Sequence, residues 1–428
     1  MGKIKIAVLG FGNVGKGVWK ILQENKKEIS KRAGREVEIS RILVKDMDKD
    51  RGITLPEGLL TDNIHEILQD EEIEIVVELT GDTDIARDYM LESMKRKKHV
   101  VTANKLVLAK WGDELFTAAA KEEVKFYYEA CVAGGIPIIR EINESLTANK
   151  IEKIAGIVNG TTNYILSKMT LEGMDFEAAL KEAQQKGYAE ADPTSDVQGF
   201  DAVYKLAILA SLAFGTKIDC SRIYREGIEN ISAADIHYAR SFGYVVKLLA
   251  IAAERDNRLE LRVHPALVPA SHPIANVNDT FNAIFIKGNA VGDLMLYGRG
   301  AGDLPTGSAV IGDIISIIRC NTGGYQFIMQ DKETPVKEIK HPEEIETEYY
   351  IRFNVRDVAG VLGSISTVFG HNNVSIISVT QDIKHKDNVP LVFITHTSSE
   401  KDMRKSLKEI LEIGNVNSID SVLRIEQF

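Results

Sequence analysis

The chain has only three cysteines, Cys131, Cys220 and Cys320, and no two of them form a CxxC pair. That spacing argues against a zinc knuckle, a dithiol redox couple or a disulfide-stapled scaffold, and the three thiols read as buried and reduced. No lysine- or arginine-rich block occurs and the formal net charge is −10, which speaks against nucleic acid or an anionic membrane as the main partner. No apolar run reaches the length of a membrane span, and the first residues pass straight into a strand pattern without a separate apolar signal region. A cytoplasmic location is therefore expected. What is present is ordinary for a globular protein: 44% hydrophobic and 27% charged residues in 428, too long for one core, so two or three domains are expected.

From Lys3 to about Ala130, short β-branched runs alternate with helical stretches, the pattern of a parallel α/β sheet. Strands are expected at Lys3 to Leu9, Val37 to Val44, Ile73 to Leu79, His99 to Thr102 and Lys125 to Tyr128. Beyond Gly134 the character changes, with strands at Ile151 to Val158 and Leu259 to Val268 separated by long helices. One helix has Asp175 as N-cap and Gly187 as stop, and another runs from Phe200 to a stop at Gly215. Two extended runs between Ala283 and Tyr297 lead through a glycine-rich turn into an apolar helix ending at Arg319, which is expected to pack back on the first domain. Asp331 to Glu348, charged and carrying Pro335 and Pro342, reads as a linker. The tail then follows the order strand, helix, strand, strand, helix, strand of a ferredoxin-like fold. Its strands are expected at Tyr349 to Val355, Val374 to Ile383, Val389 to His396 and Val422 to Gln427, with helices near Val361 to Asn372 and Glu400 to Ile413. The fold class is thus α/β: a Rossmann-type domain at 1–133 with a return at about 300–330, an α+β domain at 134–305, a linker at 331–347 and a ferredoxin-like domain at 348–428.

Gly10, Gly12 and Gly15 form a GxGxxG between a strand and a helix, with Phe11, Asn13 and Val14 between them. The first glycine permits a tight turn, the second a close approach of a pyrophosphate to the backbone, the third close packing of helix on sheet. At the end of the second strand, where an acid would take the adenine ribose hydroxyls, stand Val44 and Lys45. A cationic Lys45 suits a 2′-phosphate and so NADP, with NAD the alternative if Lys45 is only a solvated loop lysine.

Gly187 to Lys205 crowds Glu190, Asp192, Asp196 and Asp201 where a helix begins, with Lys205 one turn beyond Asp201. Carboxylates of this kind suit an ammonium-bearing substrate, and the lysine a developing alkoxide. An acidic surface loop with one ion pair fits the same residues. Lys205, at the start of a largely apolar helix, calls for a partner or a task. Thr102 to Lys105 and Glu129 to Ile139 follow strands at the carboxyl edge where open α/β sheets bind ligands. The second stretch also reads as a domain hinge.

Together these stretches, with Gly156 to Tyr164 and Gly298 to Gly307, resemble homoserine dehydrogenase over about residues 1–320. The resemblance implies that Lys205 exchanges the proton of the substrate oxygen, that Lys105 touches cofactor and substrate, and that Glu190 and Asp201, beside Asp196, bind the amino acid. It further implies cofactor contacts at Thr102, Gly187 and Gly302, and a sodium site made of Glu129 with the carbonyls of Val132, Gly134 and Ile136. A homodimer or homotetramer is implied as well. The tail resembles an ACT domain, with Ala359 standing where the usual loop has proline. It implies an amino-acid effector such as threonine, held at the turn from Arg356 to Gly363, and a module separable by truncation after about Asp331. Another amino-acid oxidoreductase on the same nucleotide fold, or a catalytically silent sensor, are the competing readings.

Overall fold

The structure, a computed structural model, describes residues 2–319, 337–381 and 388–428. Cys320, the linker residues 331–336 and the expected strand end at Ile383 lie outside them. Contacts divide the chain into two compact units: Met1–Ile151, Tyr204–Cys220 and Asn282–Val336 in the first, and Glu152–Val203, Ser221–Phe281 and Lys337–Phe428 in the second.

In the first unit, β1 (Lys3–Leu9) begins with lysines alternating with buried isoleucines and ends in the unbroken Ala7-Val8-Leu9, as a strand does when both its faces become covered. With β2 (Glu36–Leu43), β3 (Leu60–Thr61), β4 (Ile73–Glu78), β5 (His99–Thr102) and β6 (Phe126–Tyr127) it forms a six-stranded sheet of order β3-β2-β1-β4-β5-β6. Every pairing is parallel. The five expected strands are present, while β3 is too short to show a period. The order reverses between β1 and β4, so the crevice beyond their carboxyl ends is where a ligand belongs.

The second unit contains most of β7 (Ile151–Ile157), then β8 (Tyr224–Arg225), β9 (Tyr244–Arg255) and β10 (Arg258–Pro269). β9 was not anticipated, because Leu-Leu-Ala-Ile-Ala-Ala has helix-forming composition. It is a strand because Asp256 and Asn257, both at positive φ (53° and 62°), make a two-residue hairpin turn that pairs β9 with β10 from end to end. β11 (Phe281–Gly288) and β12 (Gly292–Arg299) form a hairpin, counted from Asn282 in the first unit, and the helix Asp303–Arg319 follows. As expected, that helix packs against the helix Asn13–Glu24.

The tail supplies β13 (Glu346–Arg356), β14 (Ile376–Gln381), β15 (Asn388–Thr395), the short β16 (Ser398–Ser399) and β17 (Val416–Ile425), with helices Val361–His371 and Glu400–Leu411. Tyr349, Ile351, Phe353 and Val355 of β13 pack with Ile365 and Phe369 of one helix and Met403 and Ile410 of the other. β17 begins six residues earlier than expected, since Asn417, Ser418, Asp420 and Ser421 are polar and none of them is buried. Its far edge pairs in parallel with β10, Ala266 with Arg424 and Leu267 with Ile425. The second unit therefore has one continuous sheet, β7-β9-β10-β17-β13-β15-β14. The described end of the linker is also anchored, the Leu259 amide donating to the Glu338 carbonyl (2.8 Å) and the Lys340 amide to the Leu259 carbonyl (2.9 Å).

Candidate active site

The chain leaves β1 through Gly10, whose φ is +94° and where a Cβ would lie 2.5 Å from the Leu79 carbonyl oxygen. At Gly15 a Cβ would meet the Gly10 carbonyl oxygen at 2.7 Å, whereas at Gly12 nothing lies within 4 Å. Two of the three glycines are thus needed for packing, and the middle one leaves open the space a pyrophosphate requires. The helix Asn13–Glu24 has no side-chain cap at Gly12, so its first-turn amides remain for an anion. Gly10, Phe11, Gly12, Asn13 and Lys45 line a cleft of about 740 Å³ in this unit, joined by Lys16, Lys49 and Arg51. Val14 and Gly15 lie within the helix. Asp46 also borders the cleft, but its Oδ1 accepts from the amides of Asp48 (3.0 Å) and Lys49 (3.1 Å) in its own loop. Lys45 Nζ lies 3.5 Å from Asp82, and its side chain is 77% exposed.

Glu78, at the end of β4, escaped sequence reasoning. Its Oε1 accepts from the Thr80 amide and hydroxyl and its Oε2 from the Thr102 hydroxyl, all at 2.7 Å. Burial pushes this carboxyl above its usual range. Thr102 is fully buried and its hydroxyl donates to Glu78, so its side chain braces this turn. Thr102 Oγ1 in turn accepts from the Asn104 amide (3.0 Å), and Asn104 caps the helix Lys105–Lys121, which puts half-buried Lys105 at that helix's first position.

Glu129 is buried, with Oε1 accepting from the Ile139 amide (2.9 Å) and Oε2 from the Arg140 amide (2.8 Å). Its own amide donates to Asp313 (2.9 Å), a buried carboxyl that desolvation, with Glu129 adding to it, drives well above the usual range. Between them the chain turns through Ala133 and Gly134, both at positive φ, carrying the carbonyls of Val132, Gly134 and Ile136. Among the described residues no cluster of three or more His, Cys, Asp or Glu side chains is placed to hold a metal. Gly302, at φ +121°, precedes the helix Asp303–Arg319. Of the described cysteines, Cys131 is buried as expected, whereas Cys220 is only partly so.

In the second unit, Gly187 ends the helix Phe176–Gln185 at φ +74° as expected, and Glu190 beyond it is exposed. Asp192 accepts from the Thr194 amide (3.1 Å) and shapes the turn. Asp196 and Asp201 are brought together by Asn159, whose Nδ2 donates to Asp196 Oδ1 (2.7 Å) and Asp201 Oδ2 (2.9 Å). Asn159 stands after β7 and caps the helix Gly160–Glu172 through the Thr162 amide (2.9 Å). Asn before Gly-Thr-Thr is a cap signal legible in sequence, but its second task depends on residues 37 and 42 positions away. The helix Phe200–Phe214 carries buried Asp201 in its first turn and half-buried Lys205 one turn later. The helix begins at Phe200 as expected, so Lys205 lies in its second turn. The unit boundary falls between the two, at Val203 and Tyr204.

Three family models match: the homoserine dehydrogenase NAD-binding domain over residues 10–129, homoserine dehydrogenase over 137–315 and the ACT domain over 349–415. The homoserine dehydrogenase of Synechocystis is 43% identical, with 99% of each chain covered. That of Bacillus subtilis is 39% identical over 100% of this chain and 99% of its own. Among solved structures, a homoserine dehydrogenase from Thiobacillus denitrificans superposes with a TM-score of 0.92 at 42% identity, covering 100% of this chain and 99% of that one. A hyperthermophilic archaeal homoserine dehydrogenase mutant, in complex with NADPH, matches 74% of this chain and 97% of its own at 28% identity and a TM-score of 0.63. Identity sustained through both enzyme domains and on into the tail makes this chain a member of the homoserine dehydrogenase family, with a C-terminal ACT domain.

Proposed function

We propose that Lys205 exchanges the proton of the substrate oxygen, and that Glu190, Asp196 and Asp201 hold the substrate ammonium, in the NAD(P)-dependent interconversion of L-aspartate 4-semialdehyde and L-homoserine of threonine and methionine biosynthesis. The observation that carries this is the Asn159 bridge. One amide nitrogen draws two carboxylates together, and two anions held so close favour a small cation beside them, which an amino acid supplies. When bound, the nicotinamide supplies or takes the hydride. As negative charge gathers on the carbonyl oxygen, Lys205 neutralises it with a proton and Lys105 assists through charge. Replacing Lys205 by alanine is expected to lower kcat by ~10²–10⁴-fold with the melting temperature unchanged. A smaller loss would move the proton to Lys105.

The cofactor of this reading is NADP, since Lys45, Lys49 and Arg51 line the cleft while the neighbouring acid Asp46 is turned into its own loop. Gly187 and Gly302 contribute backbone contacts. Glu129 with the carbonyls of Val132, Gly134 and Ile136 would hold a sodium ion, because one carboxylate and three carbonyls are hard oxygen donors. The ACT domain takes threonine or a related end product at the turn before the helix Val361–His371, where Gly360 at φ +94° leaves the first amides without a side-chain cap. The assembly is a homodimer or homotetramer, and the reduced thiols Cys131 and Cys220 fit a cytoplasmic setting. Titrating threonine while following activity and heat of binding tests the effector. No binding at millimolar threonine removes it.

A further inference from the structure

We propose that Arg424, on the last strand of the ACT domain, is a positioning residue for the amino-acid-binding carboxylates, acting through the two-residue strand β8. The inference rests on the reading that Asp196 and Asp201 bind the substrate.

Arg424 is almost completely buried and its guanidinium is held on two sides. Within the tail, Nε and Nη2 donate to Glu400 at 3.0 and 2.9 Å, and Glu400 also accepts from Tyr349 (2.8 Å) and Arg404 (2.9 Å). Towards β8, Nη1 donates to Glu226 (3.0 Å) and Nη2 to the Tyr224 hydroxyl (2.8 Å), which itself donates to Glu226. The guanidinium carbon also lies 4.8 Å from the Tyr224 ring centroid.

Side chains alternate along an extended segment, so Arg225 points away from its two neighbours. Its guanidinium lies 3.6 Å from the Phe200 ring centroid and donates to the Gln198 carbonyl. Three residues on, the Ile228 amide donates to the Val197 carbonyl (2.8 Å), and a Cβ at Gly227 would lie 2.5 Å from that same oxygen. Val197 to Phe200 is the stretch that separates Asp196 from Asp201. Segment 224–228 is thus gripped by the ACT strand on one side and grips the acidic loop on the other. The Glu226 amide also donates to the Val263 carbonyl of β10 (2.8 Å), which fixes the segment's height on the sheet. A planar five-donor fork suits this junction, because it binds Glu400, Glu226 and Tyr224 at once where a lysine would reach fewer of them.

The test uses the full-length enzyme and four single variants: Tyr224→Phe, Arg424→Lys, Arg225→Lys and, as reference, Asp201→Asn. Tyr224→Phe keeps the ring and removes only the hydroxyl, so it is the variant least able to disturb folding. Tyr224→Phe, Arg424→Lys and Arg225→Lys are each expected to raise KM for homoserine roughly 3–10-fold, the weight of one hydrogen bond, with kcat and the cofactor KM near wild type. A merely structural role would lower the melting temperature and leave the homoserine KM alone, or move both KM values together, and either result overturns the proposal. Asp201→Asn separates the two layers. If it raises the homoserine KM while the other three do not, the positioning role falls alone, and if it leaves that KM unchanged, the substrate reading falls and takes this inference with it.

Discussion

Gly12 and Gly17 sit on neighbouring turns of the same helix start, yet their surroundings predict opposite outcomes on substitution. A Cβ at Gly17 would stand 2.1 Å from the Asp303 carbonyl oxygen, at the point where the helices Asn13–Glu24 and Asp303–Arg319 touch, and Gly307 faces it from the other helix. Gly17→Ala must push these helices apart, and a loss of ~1–3 kcal/mol in chemical denaturation is expected. Gly12→Ala meets no protein atom, so its melting temperature should match wild type while the cofactor KM rises. Lys45→Asp should raise KM for NADPH about tenfold or more and spare NADH. Equal effects on the two cofactors would refer the 2′-phosphate to Lys49 and Arg51 instead. The glycine motif is readable because its parts lie within one span of six residues. Gly17, Glu78, Asn159 and Asp313 were not, because each owes its importance to an atom that only folding brings near.

At the scale of elements, β10 shows what periodicity reveals and what it hides. Alternation in Leu259 to Val268 marks a strand, and its charged face, Glu260, Arg262 and His264, would ordinarily be placed in water. All three are buried, Arg262 donating to Glu426 at 2.7 Å and Lys340 to Glu260 at 3.0 Å. The polar side of the pattern was covered by the tail, and a period of two cannot distinguish solvent from a distant segment of opposite charge. Burial lowers the His264 pKa to about 4, helped by the Arg424 and Arg262 charges. Burial tends to raise the Glu426 carboxyl, but Arg262 and Lys153 outweigh it and hold it at about 2. Both folded values lie below the unfolded ones, so both groups contribute stability at neutral pH that is lost on acidification. His264 gives it up between about 6.5 and 4, and Glu426 from about 4.5 towards 2. Each is worth on the order of 3 kcal/mol. Urea midpoints measured against pH should fall through both windows, and His264→Leu should flatten the upper one. An unchanged slope there would mean that His264 titrates normally.

For the whole molecule, the charged linker and the six-element tail suggest a regulatory module that could be cut away, and the order of its elements was legible for that reason. The pairing of β17 with β10 was not, since two parallel residue pairs leave no trace in composition. Asp235 shows the consequence, fully buried beneath Arg352 (2.9 Å) and Tyr350 (3.1 Å) of the tail. Truncation after Asp331 strips these partners from Asp235, and likewise from Lys153, Glu226 and Arg262. Such a fragment is expected to melt at least ~5 °C lower and to associate on size-exclusion chromatography, and a monodisperse, fully stable fragment would restore the separable module. The same strand pairing sets a timetable for synthesis. Ala266 waits for Arg424 across about 160 residues, on the order of 10–30 s of translation at ~5–20 residues per second. Until β17 is made, Arg262 lacks Glu426 and that part of the charged face of β10 stays hydrated. A ribosome that stalls before β17 emerges therefore releases a chain marked as unfinished by its own exposed charges. Protease protection of β10 on nascent chains stalled through an added C-terminal extension should appear only once Ile425 has cleared the exit tunnel.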